Sequence, residues 1–192
     1  DTIPRNVFED RKFSSVGIRA DYGFPVVENL IDGQVGVLTS RTWGHENFQL
    51  SAVNPAIPNI GSNSGLSGDD FAAYVETSVR PAEWFELRTG LRFNSHVAPF
   101  AGNQEQWSPR VRLNFFPDAA NTLFLYFGRL FMPTNVEDLR SITVNAVGAG
   151  SVTSGPTLPE RDAFYEIAYI HRFPMGIVGK LDGYWKDATP GT

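Results

Sequence analysis

The chain has 192 residues, which is enough for one domain or for a piece of a larger one. Its net charge of −5 argues against nucleic-acid binding, and the absence of cysteine excludes disulfides, thiol chemistry and cysteine-ligated metals. No window approaches the ~18 consecutive apolar residues of a transmembrane helix. The sequence starts without Met or a signal peptide and ends without an obvious stop, so we expect a mature or partial segment.

Alternation of apolar and polar side chains predicts eight β-strands, taken in chain order. Residues 1–12 are polar and aperiodic, which predicts a tail or loop before the first strand. In the fourth segment Leu87 and Leu91 fall on one face, and Arg88 and Arg92 fall on the other. The predicted strands cover residues 13–22, 34–43 (open to continuation through Phe48 and Leu50), 71–80, 85–94, 106–116, 121–131, 163–173 and 177–186. We therefore predict an all-β, antiparallel up-and-down meander.

The connections between these strands alternate between short and long. The short ones lie at about 23–33, 81–84, 117–120 and 174–176, and the long ones at about 44–70, 95–105 and 132–160. Because strands of a meander alternate in direction, all short turns lie at one end of the sheet and all long loops at the other. Transmembrane β-barrels show this asymmetry, with short periplasmic turns and long external loops.

Charge and aromatic placement favour a membrane barrel over a soluble one. One face of each strand is mostly apolar, and the other carries full charges such as Glu76, Arg88 and Arg110. That pattern alone fits either a soluble core or a lipid-facing wall around a wet lumen. Aromatic residues gather at the short-turn end and again at the long-loop end, as in the two belts at membrane interfaces. These residues are Tyr22, Trp84, Phe115, Phe116 and Phe173 at the first end, and Trp43, Phe93, Trp107, Phe131 and Trp185 at the second.

The short turn at Pro81 allows a prediction of the strand register around it. If Val79 lies opposite Phe85, then Glu76 faces Arg88 and Tyr74 faces Gly90. An ion pair across the strands and an aromatic ring over a glycine are both favourable cross-strand partners.

Several motifs resemble the barrel of TonB-dependent outer-membrane receptors. The main one is that family's Y-x-G-R-x-F-x-P-x-x-x-E-x-L signature, carried by Tyr126, Gly128, Arg129, Phe131, Pro133, Glu137 and Leu139. Others are Ser108-Pro109-Arg110, the segment 80–93, Leu158-Pro159-Glu160 with Tyr165-Glu166, and residues 184–187. Residues 1–192 depart from the family in having Thr134 where a second proline is usual, and in lacking a plug domain, a TonB box and a C-terminal aromatic strand. Family barrels have about 22 strands, so the resemblance implies a partial barrel, roughly a third of one.

The resemblance implies a function in energy-coupled uptake across the outer membrane of a Gram-negative-type bacterium. Its expected partners are outer-membrane lipid, the receptor's own plug domain, the TonB complex and a scarce nutrient such as a siderophore, haem, cobalamin or glycan. The barrel portion performs no bond chemistry and needs no cofactor. Two other hypotheses stay open at this stage. One is a complete eight-stranded outer-membrane barrel acting as an adhesin, anchor or small rim enzyme, and the other is a soluble ligand-binding β-barrel.

Candidate site residues are few. The three histidines are widely spaced and form no metal-binding motif; we expect His45 and His96 in loops and His171 near an interface. Ser95 and His96 are neighbours on a predicted strand, so they point to opposite faces and do not form a catalytic pair. Glycines at 61–68 and 148–150 are expected in flexible loops. Arg129 and Glu137 have either ligand and plug contacts or structural roles, and we favour the structural interpretation. Topology predicts a ligand-facing surface on the long loops, at or near Trp43, His45, Phe48, Phe100, Trp107 and Asn145.

Overall fold

The computed structural model describes residues 5–52, 59–98, 102–133 and 159–189 as one antiparallel sheet. Each strand pairs with the next along the chain, which confirms the predicted meander. A 3₁₀ turn, Pro174–Gly176, connects the last two strands. The strands are β1 Arg5–Val27, β2 Ile31–Ala52, β3 Ile60–Ala82, β4 Phe85–Ala98, β5 Gly102–Phe115, β6 Asn121–Met132, β7 Glu160–Arg172 and β8 Val178–Thr189.

The sheet is open. Among the described residues β1 pairs only with β2 and β8 only with β7, so the eight strands form part of a barrel rather than a closed one. Within those same ranges, no helix has the length and apolar character needed to cross a bilayer.

The first three strands are longer than predicted, at 22 or 23 residues each. The tail predicted at 1–12 is wrong for residues 5–12, which pair with β2, and the loop predicted at 44–70 is wrong for most of its length. Polar residues 60–69 pair with residues 41–50, because backbone ladders form between Ser-, Asn- and Gly-rich segments as well as apolar ones. At a rise of about 3.3 Å per residue, these strands reach ~70 Å and extend well beyond a ~30 Å hydrocarbon layer.

The loop predicted at 95–105 is also too long. β4 continues to Ala98 and β5 begins at Gly102, so three residues connect them. His96 therefore lies in a strand rather than in a loop. The loop glycines expected at 61–68 likewise lie in β3, while Gly148 and Gly150 lie outside the described residues.

The register predicted at the Pro81 turn is wrong by two residues. Val79 lies opposite Leu87, Glu76 lies opposite Gly90, and Tyr74 lies opposite Arg92. The ladder shifts between Val79 and Ala82, where a bulge takes up one extra residue beside Pro81. Because the side-chain period is two, the shift leaves every residue on its predicted face.

The distribution of buried residues is the reverse of that in a soluble protein, because polar side chains are buried and apolar ones are exposed. Apart from proline and glycine, only five apolar residues are buried among those described, against nine polar or charged ones. On the apolar face, side chains in central strands stay open, with Val75 48% and Ile167 53% exposed. An apolar face this exposed does not form the core of a soluble sandwich or barrel, and it matches a surface that faces lipid. The buried residues are Leu66, Ala72, Ala98, Phe124 and Ala168, and then Glu46, Glu86, His96, Gln104, Gln106, Ser108, Asn114, Thr122 and Asp162.

The turn between β5 and β6 is fixed by Asp118. Its Oδ1 accepts hydrogen bonds from the backbone N–H groups of Ala120 (2.8 Å) and Asn121 (2.9 Å). The Asn121 side-chain amide also donates to Oδ2 at 2.7 Å, and these hydrogen bonds hold the pKa of the Asp118 carboxyl below its usual range. Asn121 in turn lies 2.7 Å from Nδ1 of His171. The turn is therefore tied to the end of β7.

Candidate functional site

The polar face of the sheet is built around a buried carboxylate, Glu86, near the start of β4. Its Oε1 accepts hydrogen bonds from Ser78 Oγ (2.8 Å), Arg80 Nη2 (2.9 Å) and Arg88 Nε (3.0 Å). Its Oε2 accepts from Asn114 Nδ2 at 2.8 Å. With Glu86 only 2% exposed, these donors replace the water that the carboxylate loses on burial. Three neighbouring strands are thereby connected through one side chain.

A second ion pair on the polar face is formed across Gly90. Arg110 on β5 lies between Gly90 and Gly128 in the ladder and pairs with Glu76 on β3, two strands away. Its guanidinium also lies over the Tyr74 ring, 5.6 Å from the centroid. A Cβ at residue 90 would be 2.9 Å from Nε of Arg110, closer than real Cβ atoms come to other heavy atoms. The contact between Arg110 and Glu76 therefore requires glycine at position 90.

Glu76, Arg88 and Arg110 border a cavity of about 560 Å³ on the polar face, which we call the polar-face cavity. Its size lies in the range of small-molecule sites. Arg112, a third arginine beside it, is held by Asn114 at 2.8 Å and lies over the Phe124 ring, 3.9 Å from the centroid. The lining includes Gln34, Glu76, Arg88, Arg110, Arg112 and Tyr126. Such a wall offers guanidinium and amide donors to an anionic or polyhydroxyl group.

The motif residues of β6 lie on both faces of the sheet. The Tyr126 ring lies on the polar face over Gly128, where a Cβ would come within 2.9 Å of its Cζ atom. Phe131 and Pro133 border a further cavity, of about 280 Å³, beside Asp70 and Asn94. Glu137 and Leu139 lie outside the described residues.

The motif acids of β7 pair with lysines of β8. Glu160 lies 2.8 Å from Lys186 Nζ, which also lies 2.7 Å from the buried Asp162. Glu166 lies 3.2 Å from Lys180 Nζ. The buried Pro159 precedes this cluster, while Tyr165 lies on the apolar face with its ring centroid 5.0 Å from that of Phe127.

Arg129 lies on the apolar face, opposite Ala163. It is exposed and makes no ion pair within the described part of the chain. It shares a cavity with Trp107 and Arg161. The sequence analysis favoured a structural role for Arg129 and did not foresee a second arginine at the same place.

The residues expected on a ligand-facing loop are dispersed. Trp43 and His45 lie within β2 and Trp107 within β5, all on the apolar face, because β2 and β5 extend past the predicted loop boundaries. Phe48 also lies in β2, near its end. Phe100 and Asn145 lie outside the described residues. A ligand-contact role for this set stays a prediction.

The sequence analysis missed a buried polar group near the other end of the sheet. Nδ1 of His96, which is 3% exposed, lies 2.6 Å from Asp70 Oδ1. Ser95 lies on the opposite face and bonds Asn103, so the two neighbours do not form a catalytic pair. In the described ranges no three His, Asp or Glu residues come together as metal ligands. His96 follows Arg88 and Arg92 at even spacing along β4. This alternation was the signal in the sequence that could have placed His96 on the polar face.

Comparison with known families identifies this arrangement. The family model described as TonB dependent receptor-like, beta-barrel matches residues 3–189. The chain belongs to the TonB-dependent receptor β-barrel family. This family comprises receptors rather than enzymes.

A solved structure supports the same fold for this TonB-dependent receptor segment. The alcaligin outer membrane receptor FauA from Bordetella pertussis aligns with a TM-score of 0.59 at 15% sequence identity, over 96% of this chain. The chain spans about 30% of the length of that receptor. Comparison with curated protein sequences gives no match. At this identity the likeness establishes the fold alone.

Proposed function

We propose that residues 1–192 are a partial barrel domain of an outer-membrane transporter that takes up a scarce nutrient with energy supplied through TonB. One observation carries the proposal beyond family membership. Charged and amide side chains are buried on one face, as around Glu86, while apolar side chains are exposed on the other. A wall with this distribution suits lipid on its apolar side and a wet or plugged lumen on its polar side.

In this proposal the polar face is the lumen wall. The ion pair of Arg110 and Glu76 and the hydrogen bonds around Glu86 hold neighbouring side chains in fixed positions, so the wall keeps its shape beside a separate plug. The polar-face cavity then offers three arginines to the plug or to a passing solute. A siderophore, haem, cobalamin or glycan fits this chemistry, since each carries carboxylate, amide or hydroxyl groups.

The short-turn end is proposed to face the periplasm and the other end the exterior. The turns at 28–30, 83–84 and 116–120 are short, and the ends of β1, β2 and β3 opposite them extend far beyond a bilayer. The open sheet favours a partial barrel over a complete eight-stranded one, because a complete barrel would pair β1 with β8. The exposed apolar face argues against a soluble barrel, which would bury that face in its core.

The test is uptake by the full-length receptor that contains this segment. Cells expressing it, and cells lacking it, are given radiolabelled ferric siderophore, haem, cobalamin or oligosaccharide in turn. We expect receptor-dependent uptake of one class that stops when a protonophore collapses the proton-motive force, while surface binding persists. Receptor-dependent uptake that continues without the proton-motive force would contradict energy coupling. Recovery of the receptor in the soluble fraction would contradict the membrane assignment.

A further inference from the structure

A second cavity on the polar face has three arginines and no carboxylate among the described residues that line it. It measures about 250 Å³ and lies closer to the long-loop end than the polar-face cavity does, and we call it the upper cavity. Arg110 and Tyr126 border both cavities, so the two are neighbours along β5 and β6. The charged and polar residues of its lining are Arg92, Asn94, Ser108, Arg110, Tyr126 and Arg129.

The upper cavity is the place where the family-like segments of β4, β5 and β6 come together. Arg92 belongs to the segment of β4, and Ser108 lies opposite it in the ladder as the first residue of the Ser-Pro-Arg segment of β5. The motif of β6 contributes Tyr126 from the polar face and Arg129 from the apolar face. Arg129 borders the cavity because the pairing of β5 and β6 ends one residue earlier, at Gly128. Residues of three motifs therefore line one space.

The guanidinium groups of the upper cavity retain hydrogen-bonding capacity. Arg92 is half-buried, and its Nε donates to Oδ1 of Asn94 at 2.7 Å. This hydrogen bond orients the guanidinium without neutralising it, and Arg92 forms no ion pair within the described ranges. Arg110 is paired with Glu76, but its Nε is buried and has no hydrogen-bond partner in the part of the chain that the structure describes. A buried N–H without an acceptor is uncommon in folded proteins, so it favours a ligand that can accept.

A buried hydroxyl adds a further donor to the wall of the upper cavity. Ser108 is 6% exposed, and its Oγ accepts hydrogen bonds from Asn94 Nδ2 (3.4 Å) and Gln106 Nε2 (3.2 Å). Because both amides donate to this oxygen, its own O–H is left to donate to another acceptor. A wall of guanidinium and hydroxyl donors suits an anion, and the planar guanidinium matches the geometry of a carboxylate.

The acids on neighbouring strands, besides Glu76, have other partners. Asp21 lies in the same row as Arg92, three strands away, and is paired with Arg19 at 2.6 Å. Asp70 lies two rows beyond Arg92, toward the long-loop end, and its Oδ1 is 2.6 Å from Nδ1 of His96. Neither acid lines the upper cavity. The positive charge of the cavity is therefore left for an anion from outside the described sheet.

We propose that the upper cavity binds a carboxylate group of the transported nutrient, with Arg92 and Arg110 as its main contacts. This inference rests on the proposed transport function and names a class of nutrient for it. A volume of about 250 Å³ accommodates one acid group with a few attached atoms rather than a whole nutrient. From there Arg110 leads to the polar-face cavity, where Arg112 is the next cation. A siderophore with free carboxylates, or haem with its propionates, fits this site. Cobalamin, whose side chains are amides, and neutral glycans lack the group.

A thiol placed at the upper cavity measures its charge without knowledge of the nutrient. Residues 1–192 contain no cysteine, and Leu130 borders the cavity from the polar face of β6. The full-length receptor carrying Leu130→Cys, in detergent micelles, is treated with an anionic sulfonatoethyl or a cationic trimethylammonioethyl methanethiosulfonate. The adduct at residue 130 is measured by peptide mass spectrometry. We expect the ratio of the anionic to the cationic rate to exceed that of a free thiol in solution at least about threefold. Ser108→Cys gives a second thiol position if Leu130→Cys does not fold.

Succinate and succinamide distinguish a carboxylate site from a surface that is only positively charged. Millimolar succinate should slow the modification of residue 130, whereas succinamide, which has the same skeleton without charge, should not. Adding Arg92→Gln should abolish both the preference for the anionic reagent and the protection by succinate. Arg19→Gln is the matched control, because Arg19 is also an arginine of the polar face but is paired with Asp21 and does not border the cavity. The control should change neither result.

Several results would overturn the proposal. If neither reagent reaches the thiol, another part of the receptor, such as the plug, fills the upper cavity. A rate ratio equal to that of a free thiol, modification that succinate does not slow, or equal losses in Arg92→Gln and Arg19→Gln would each exclude the carboxylate site. Energy-dependent uptake by the unaltered receptor is measured separately. Uptake without protection by succinate rejects the carboxylate site alone, whereas uptake that persists without the proton-motive force rejects the transport function.

Discussion

Gly90 allows the ion pair between Glu76 and Arg110, and replacing it with alanine tests this account of the polar face. A Cβ at residue 90 would lie 2.9 Å from Arg110 Nε and 2.9 Å from Glu76 Cγ. Both neighbours are long side chains, so they would move apart rather than displace the backbone. The variant should therefore lose the pairing of Glu76 with Arg110 and the position of Arg110 over Tyr74.

The expected cost follows from three contributions. Overpacking costs ~1–3 kcal/mol, and loss of an ion pair whose side chains are each 34% exposed adds at most ~1 kcal/mol. Removing a strand glycine returns ~0.5–1 kcal/mol through the unfolded chain. We expect Gly90→Ala to lower the free energy of unfolding by about 1–2 kcal/mol. The measurement is urea unfolding of the full-length receptor in lipid vesicles, followed by tryptophan fluorescence.

Gly23→Ala is the control for Gly90→Ala. Gly23 lies in the same row of the polar face, through Gln34 and Glu76, but the nearest atom to a Cβ there is the carbonyl oxygen of Gly33 at 3.9 Å. This variant should be neutral or slightly more stable. Equal stability of the two alanine variants would refute the steric argument. Additivity of Gly90→Ala with Glu76→Gln within ~0.3–0.5 kcal/mol would refute the role of the ion pair.

Four further variants examine other charged groups. Glu86→Ala should cost about 2–3 kcal/mol in the same unfolding assay, since the buried Asn114 amide loses its acceptor while the arginines can rehydrate. Lys186→Met should lower the free energy of unfolding because it leaves the buried Asp162 without a cation, whereas Lys180→Met, whose acidic partners are more exposed, should lower it less. The pKa of Asp118 is lowered in the folded state, so its contribution is present above the ordinary value near 3.8 and is lost as pH falls through the lower folded value. Asp118→Asn should therefore weaken the fall in the unfolding midpoint between about pH 5 and about pH 2, and an unchanged fall would contradict this assignment.

Alternation predicted the faces correctly because the side-chain period of a strand is local. Glu76, Arg88 and Arg110 were all placed on the polar face before any pairing was known. Strand ends were missed because residues 60–69 are Ser-, Asn- and Gly-rich, and such segments pair only when a neighbouring strand is long enough to receive them. The register was missed because the bulge after Val79 depends on how the Pro81 turn fits between two strands.

The candidate site was harder to predict because its contacts skip strands. The partner of Glu76 is on β5 rather than on the adjacent β4, and the side chain reaches across only because position 90 is glycine. A pairwise hairpin prediction assigns Glu76 to Arg88 and cannot find this contact. The acids Glu160 and Glu166 were singled out by the motif, but their lysine partners on β8 required the register of that pair of strands.

Two motif segments on the consecutive strands β5 and β6 meet at one ladder pair, Arg110 opposite Gly128. Pro109 explains why the pairing of β5 and β6 stops there, and Gly128 leaves room for the Tyr126 ring on the polar side. On one side of this pair the arginines border the polar-face cavity, and beyond it the separated strands leave the cavity that Trp107, Arg129 and Arg161 share. The two motif segments therefore coincide with the place where the pairing of β5 and β6 ends.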